Sequence, residues 1–397
     1  MRKALLFAAI TAIACLYSCQ ESGSDDNVLQ ISEDDVIVLD GDFDHNFLSS
    51  WEYIVLDDKE NDAIVPGDVN RILYDDGLYF IGGVNNGGFI KVFDSNGHYM
   101  NEISQYGRAR NEYHNLREWT IDRIRNEVLI TTRNDYLGPI SIKKFDYQGN
   151  FLGESETVPL GEGTPFNNLI KCLSDGTLLV ENGYAGAPIY DYVLIPQNGE
   201  VRHPFEMTGY RSADKGASND ESQEIIIGTC DVFTGSYDQL SDTTYTIRLF
   251  DNHIYRITQD HSECAANLAF RPQMTKKDIK NFNPVTSIST ALPHTVYEMK
   301  DYLFIWYWNQ LCVYEKSTSK VYDFHNYGKQ LLPDWLTCSF YSNDMIACVS
   351  VQDISRANSR MESDDYDHSY SSELEDFYRK VKDCQNPVIF IAHYDKK

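Results

Sequence analysis

Phe93-Asp94-Ser95-Asn96-Gly97-His98-Tyr99-Met100 decides the fold. It reads as one tight hairpin: the Asn-Gly pair supplies the positive φ of a short turn between strand-forming flanks. The element returns as Phe145-Asp146-Tyr147-Gln148-Gly149-Asn150-Phe151-Leu152 and, more weakly, as Pro196-Gln197-Asn198-Gly199-Glu200-Val201. The three glycines lie 52 and 50 residues apart. Upstream of each copy an apolar run follows a turn: Gly77-Leu78-Tyr79-Phe80-Ile81, Asn126-Glu127-Val128-Leu129-Ile130 and Gly176-Thr177-Leu178-Leu179-Val180. These runs start 49 and 50 residues apart, so two markers keep one period.

Each unit reads as strand, loop, strand, tight turn, strand. Short strands rich in Tyr, Phe, Ile and Val on a period of roughly 40–50 residues are the pattern of propeller blades, which must stack because one blade cannot bury both its faces. Looser units follow at Thr244–Phe250 with His253–Ile257, at Tyr302–Trp308 with Leu311–Tyr314, and from Met345 to Pro387–Tyr394. The expectation is an all-β, six-bladed β-propeller of four-stranded blades. Trp51–Leu56 is an orphan strand that would join the final blade and close the ring, removing free edges. The alternation stops between 351 and 383. There an acidic loop leads to a helix with a capping box, Ser372 with Glu375, and an apolar stripe of Leu374, Phe377, Tyr378 and Val381. This loop and helix form an insertion in the last blade, lying on one face of the propeller.

Composition narrows the function classes. With 42% hydrophobic and 13% aromatic residues, the chain is too apolar to be disordered. A net charge of −26 argues against a nucleic-acid partner, which requires a basic face, and against holding an anionic membrane by charge.

The N-terminus carries an address. Met1-Arg2-Lys3 precedes an apolar run, Ala4–Tyr17, too short to span a bilayer and suited to a signal-peptide core. The run ends at Leu16-Tyr17-Ser18-Cys19, which resembles the lipobox of bacterial lipoproteins, where the cysteine is acylated and becomes the first mature residue. The alternative is an ordinary secretory signal. The expected organisation is a signal peptide over 1–18, a flexible acidic tether over 19–35 and a propeller over 36–397, with 351–383 as the insertion. Gln20-Glu21-Ser22-Gly23-Ser24-Asp25-Asp26 resembles the export signal of surface lipoproteins in the Bacteroides group, although any solvated tether is similar.

Apart from Cys15 and Cys19, seven cysteines remain: Cys172, Cys230, Cys264, Cys312, Cys338, Cys348 and Cys384. An odd number without C-x-x-C fits neither a disulfide framework nor a zinc module. A hairpin turning at Asn343 would set Cys338 opposite Cys348, where an oxidising compartment permits a bridge. Two buried thiols are the other reading.

Over roughly Trp51 to Tyr394, the chain resembles the six-bladed β-propeller lipoproteins of Bacteroidetes, related to NHL-repeat propellers. Trp51–Leu56 looks like their opening strand and Asn386-Pro387-Val388-Ile389 like their closing one. Phe93–Gly97 followed by Tyr106-Gly107-Arg108-Ala109-Arg110-Asn111-Glu112-Tyr113 looks like their blade link. Arg110 and Asn111 replace its usual Gly-Pro-Gly turn, so a different loop shape is expected. The resemblance implies a fold and an address; it brings no catalytic residues.

Chemistry-bearing candidates are sparse. Asp40-Gly41-Asp42-Phe43-Asp44 lacks the glycine and glutamate of a calcium loop, with His45 and Trp51 in their places. His98, His114, His253, His294 and His325 fall in different units, and an axial metal site would need several blades to converge. Glu33-Asp34-Asp35 and Asp364-Asp365 read as solvated charge. Gly82-Gly83 and Gly87-Gly88 flank a hairpin. The stripe Phe304, Trp306, Trp308 could stack on sugars, but alternation with Leu303, Ile305 and Tyr307 reads as core packed on both faces. The sequence holds no nucleophile elbow, P-loop or dinucleotide fingerprint. No catalytic residue, metal ligand or cofactor is assigned; Cys19 is the one assigned site, for lipid.

The leading expectation is a lipid-anchored outer-membrane protein, exposed at the cell surface or otherwise facing the periplasm, that binds a glycan, a peptide or an envelope protein. The alternatives are a metal-dependent hydrolase or lactonase with an axial site and a structural subunit of an envelope complex. Propellers host all three.

Overall fold

The computed structural model describes residues 28–394 except 33, 35, 39–49, 60, 67–68, 85–87, 104–105, 114–115, 134–139, 156–164, 185–186, 197–201, 203–242, 248–252, 270–292, 308–309 and 325–336. Cys19, Cys230, the Asp40–Asp44 stretch, Gly199, His114 and His325 lie outside the described residues, as do the side chains of His294 and Trp306.

Three strands come first: β1 (Leu29–Ile31), β2 (Val36–Val38) and β3 (Ser50–Val55). Blade 1 is β4 (Arg71–Asp75), β5 (Leu78–Gly83), β6 (Phe89–Asp94) and β7 (Tyr99–Glu102). Blade 2 is β8 (Leu116–Asp122), β9 (Glu127–Arg133), β10 (Ile140–Asp146) and β11 (Phe151–Ser155). Blade 3 has β12 (Pro165–Cys172), β13 (Leu178–Tyr184) and β14 (Ala187–Ile195), extended by a bridge from Leu194 to Arg202. Blade 4 is β15 (Thr244–Ile247), β16 (His253–Ile257) and β17 (Ser262–Leu268). Blade 5 is β18 (Pro293–Glu298), β19 (Tyr302–Tyr307), β20 (Gln310–Glu315) and β21 (Lys320–Phe324); blade 6 is β22 (Thr337–Tyr341), β23 (Asp344–Val349) and β24 (Val388–His393). First strands of neighbouring blades touch, β8 with β12, β15 with β18, β18 with β22 and β22 with β4, so they line the axis of a six-bladed ring.

The F-D-x-x-G element latches one blade to the next. Phe93 and Phe145 are fully buried, each contributing about 1.5–3 kcal/mol by burial. Asp94 Oδ1 accepts from the amides of Asn96 and His98, and Asp146 Oδ1 from those of Gln148 and Asn150, which fixes the two turns. The glycines, at φ +85° and +83°, then lie against the outer strand of the preceding blade. A Cβ on Gly97 would stand 2.5 Å from the Val55 carbonyl oxygen, and one on Gly149 2.8 Å from that of Glu102.

The N-terminal strands walk along the outer edges of three successive blades. β1 pairs in parallel with β17 of blade 4, and β2 in parallel with β21 of blade 5. β3 pairs antiparallel with β24 of blade 6, Trp51 opposite Ala392. The orphan strand therefore closes the ring as expected. The boundary expected at residue 36 is corrected: Leu29–Ile31 already belongs to a blade, because Ile31 is buried with Ile254 and Leu268.

The insertion also differs. It holds two helices, α1 (Val351–Met361) and α2 (Ser372–Lys380), where one was expected. α1 buries only Ile354 and Ala357, too thin a stripe to read from sequence, and is capped by Ser350, whose Oγ accepts from the Asp353 amide. The cap of α2 is Ser371, which accepts from the Leu374 amide, so the Ser372–Glu375 capping box does not form. The stripe itself is right: Leu374, Phe377, Tyr378 and Val381 are all buried. Phe377 packs on Trp51, Tyr53 and Phe390, so the helices cover the flank of blade 6.

Cys338 and Cys348 do not face each other. The hairpin turns on Ser342 and Asn343 together, which sets Cys338 opposite Ala347 and Cys348 opposite Thr337. A slip of one residue sends the two thiols to opposite faces of the sheet. Both are free, and burial pushes each up to about 12. Phe304 is buried along with Leu303 and Ile305, in keeping with a core strand.

Candidate functional site

The ends of the first strands of blades 6, 1 and 2 bring together a group of aromatic and charged side chains. Tyr74 closes β4 beside Asp75, Asp76 and Gly77; Tyr79 follows on β5, its cross-strand partner. Tyr341 ends β22 on the neighbouring blade. The Tyr74 ring centroid lies 4.8 Å from that of Tyr79 and 5.0 Å from that of Tyr341, the latter edge-to-face. Tyr74 and Tyr341 are half-buried and Tyr79 is 4% exposed.

Asp75 and Asp76 follow Tyr74 along the chain, and further carboxylates stand on blade 6. On blade 6 the Asp344 carboxylate sits 2.8 Å from His393 Nδ1, and Glu52 Oε1 lies 3.7 Å from its Nε2, three side chains from three adjacent strands. Burial raises the Tyr79 phenol, and Tyr74, Glu52 and Asp344 add to the shift. Burial, then Tyr341, Asp75 and Asp76, raises Tyr74 in the same way. Both phenols thus stay protonated at neutral pH and are poorly suited to act as nucleophiles or bases; Tyr74 is half-buried, whereas Tyr79 packs in the core with Ile72, Ile81 and Ile346.

The cation behind the platform is already engaged. Arg123 stacks 5.6 Å from the Tyr341 ring, pairs through Nε with Asp75 at 3.5 Å and donates to the Tyr74 carbonyl. Asp75 also accepts from the Tyr147 hydroxyl at 2.6 Å, which ties the turn of blade 2 to blade 1. At the other end of the same strands, Arg71 pairs with Glu118 at 3.2 Å and donates to the Trp119 carbonyl, while Glu118 accepts from the Trp119 amide. The β8 edge facing away from β9 is thereby capped by ions. Burial raises the Glu118 carboxyl, offset in part by Arg71 and that amide. Such paired charges fix the geometry of a seam more than they add stability.

Sequence reasoning missed a second device. Lys91 and Lys143 stand two residues before the phenylalanines of their F-D-x-x-G elements, buried on β6 and β10. Lys143 donates to the carbonyls of Arg110 and Glu112, and Lys91 to that of Asp62, so each holds the link that enters its own blade. Their equal offset was the available signal. In the first of these links the Glu112 carboxylate accepts from the Ala109 amide and fills the space beside Gly107, and Tyr113 donates to the Gly88 carbonyl.

Of the histidines weighed for an axial metal, the two with described side chains have other neighbours: His98 bonds to Asp94, and His253 packs near Tyr255. Among the described residues no group of three or more His, Cys, Asp or Glu is placed to hold a metal ion, and no helix is long and apolar enough to cross a membrane. Asp364 and Asp365 are exposed.

A family described as a domain of unknown function, DUF4934, matches residues 43–393. No curated protein matches the sequence. Among solved structures, a protein of Bacteroides fragilis NCTC 9343 described as exported is 14% identical, with a TM-score of 0.65 over 92% of this chain and all of its own. A member of the DUF4221 family from Bacteroides vulgatus ATCC 8482 is 10% identical, with a TM-score of 0.49 over 88% of this chain and 99% of its own. At these identities the likeness concerns the fold.

Proposed function

Given that the chain belongs to the DUF4934 family, we propose that it is an exported propeller acting as a ligand-binding or protein-interaction module. The observation that carries this reading is the platform of Tyr74, Tyr79 and Tyr341 at the seam between blades 6 and 1. Its phenols stay protonated and Arg123 beside it is paired with Asp75, which suits the site to recognition. The closed ring beneath holds those surfaces rigidly, which lowers the entropic cost of binding. Lipid on Cys19 anchors the mature chain in the outer membrane, facing outward, and the ligand is a glycan, a peptide or an envelope protein. The signal-like segment ending at Leu16-Tyr17-Ser18-Cys19 and the exported structural relative support that address.

The test pairs glycan arrays and purified envelope proteins with the wild-type chain and a Tyr74→Ala/Tyr341→Ala variant of unchanged melting temperature. A ligand held by the first and lost by the second is expected. A ligand held equally by both would remove the platform from the function. Labelled-lipid incorporation that vanishes in Cys19→Ala tests the anchor.

A further inference from the structure

We infer that Asn386 is the pin of ring closure, a single buried amide that makes the joint between the last blade and the first open and close as one unit. Elsewhere in the ring the chain itself runs from one blade into the next. Between blades 6 and 1 it runs on from β3, and β3 belongs to blade 6 through its pairing with β24, not through the chain. A slip of two residues in that pairing would keep every side chain on its own face, so the ladder alone specifies the closed register weakly. Asn386 adds a contact outside the ladder. It is 1% exposed and stands two residues ahead of β24. Its Nδ2 donates to the carbonyls of Asp57 at 2.7 Å and Ala63 at 3.0 Å, and its Oδ1 accepts from the Val65 amide at 2.7 Å. These partners lie on the stretch leading from β3 to β4, 321 to 329 positions away in the chain.

The chemistry explains the residue type. Among side chains, the carboxamides of Asn and Gln carry two donors and an acceptor on one planar group, whereas an ionised aspartate has no donor. Pro387 completes the device: its ring fixes its own φ and holds the preceding residue extended, so the amide is aimed before the joint forms. Blade 1 grips the same stretch from the other side. Lys91 on β6 donates to the Asp62 carbonyl, and the Asp57 amide donates to the Gly97 carbonyl at 2.8 Å. Between the two grips, Leu56 and Val65 are buried in one cluster with Ile72 of blade 1 and Ile346 and Ile389 of blade 6. Without the Asn386 side chain, two carbonyls and an N–H lose their partner in a buried place, which is costly, and blade 6 loses its polar hold on the stretch. Tyr341 and Tyr74 stand on opposite sides of this joint, so its closure also sets the platform, but the inference does not rest on the platform being a binding site.

The experiment follows amide hydrogen exchange along the mature full-length chain by mass spectrometry. In Asn386→Ala, exchange across β3, Asp57, Val65 and β24 should rise together by roughly tenfold or more, while blades 2 to 5 stay near the wild-type rate. Asn386→Asp keeps the size but turns oxygens toward the two carbonyls, and should open the joint at least as far. Asn358→Ala is the control. The Asn358 amide donates to the carbonyls of Ile354 and Tyr378, both inside the helical insertion, so its loss should raise exchange in α1 and α2 alone. An even rise over all six blades in Asn386→Ala would mean a general loss of stability and would overturn the inference. So would a rise at the joint no larger than in Asn358→Ala. If the Asn386 variants do not fold, the wild type decides in low urea: Val65 and the β3 amides should share one opening curve, lying below that of blade 2. Val65 exchanging with blade 2 and independently of β3 would also overturn the inference.

Discussion

Replacing Gly97 by alanine isolates what joins one blade to the next. Two costs arise at this position. The first is local: φ is +85°, and an L-residue in that region costs about 1–2 kcal/mol. The second is tertiary: the new methyl would stand 2.5 Å from the Val55 carbonyl oxygen and 2.9 Å from Ile54 Cγ2. The carbonyl belongs to β3, which is fixed by its pairing with β24, so the clash can be relieved only by shifting the strand that closes the ring. Overpacking of this kind costs about 1–3 kcal/mol. Gly77 supplies the control. Its φ is +76°, but a Cβ there meets nothing within 4 Å. Gly77→Ala should therefore cost about 1–2 kcal/mol and Gly97→Ala about 2–5 kcal/mol. Urea unfolding of the chain beginning after Cys19 reads the difference, provided the slope with denaturant is unchanged. Gly149→Ala, facing the Glu102 carbonyl at 2.8 Å, belongs with Gly97. Equal losses at Gly77 and Gly97 would refute the reasoning, because the glycine would then serve its own turn and not the blade contact.

Two further outcomes follow from the same repeat. Burial alone would raise the Asp94 carboxyl, but its hydrogen bonds from His98 and the Asn96 amide outweigh burial and leave it lowered. The contribution is therefore complete above the unfolded value of about 3.9 and is lost as pH falls through the lower folded value. Asp94→Asn should flatten the acid limb of the stability curve; an unchanged limb would rule the group out. Lys143→Met should release the link at 107–113, where it loses ammonium bonds to two carbonyls. The expected loss is about 1–3 kcal/mol, with faster amide exchange confined to that link, and unaltered exchange there would contradict the assignment.

Much of the architecture was legible because the repeat is written in local chemistry. F-D-x-x-G needs only its own residues to turn, since the aspartate caps the turn amides and the glycine takes the positive φ. The closing role of Trp51–Leu56 was legible for a related reason: an apolar strand outside any unit has to bury somewhere, and the last blade, with three strands of its own, leaves it an outer edge. The apolar stripe of α2 was visible through helical spacing, whereas α1, with two buried residues, gave no stripe to see.

The remainder depended on register and on contacts across the seam. Cys338 and Cys348 are separated by a one-residue difference in the turn, and a strand's period of two converts that difference into opposite faces. That Leu29–Ile31 and Val36–Val38 thread two outer edges in parallel could not be read from such short segments, because three residues carry no periodicity. Tyr74 and Tyr341 are 267 positions apart in the chain, and only ring closure sets their centroids 5.0 Å apart. The sequence by itself determined the blade, because the blade is made by neighbours along the chain. The tertiary structure alone decided the candidate site, because it is made where the last blade meets the first.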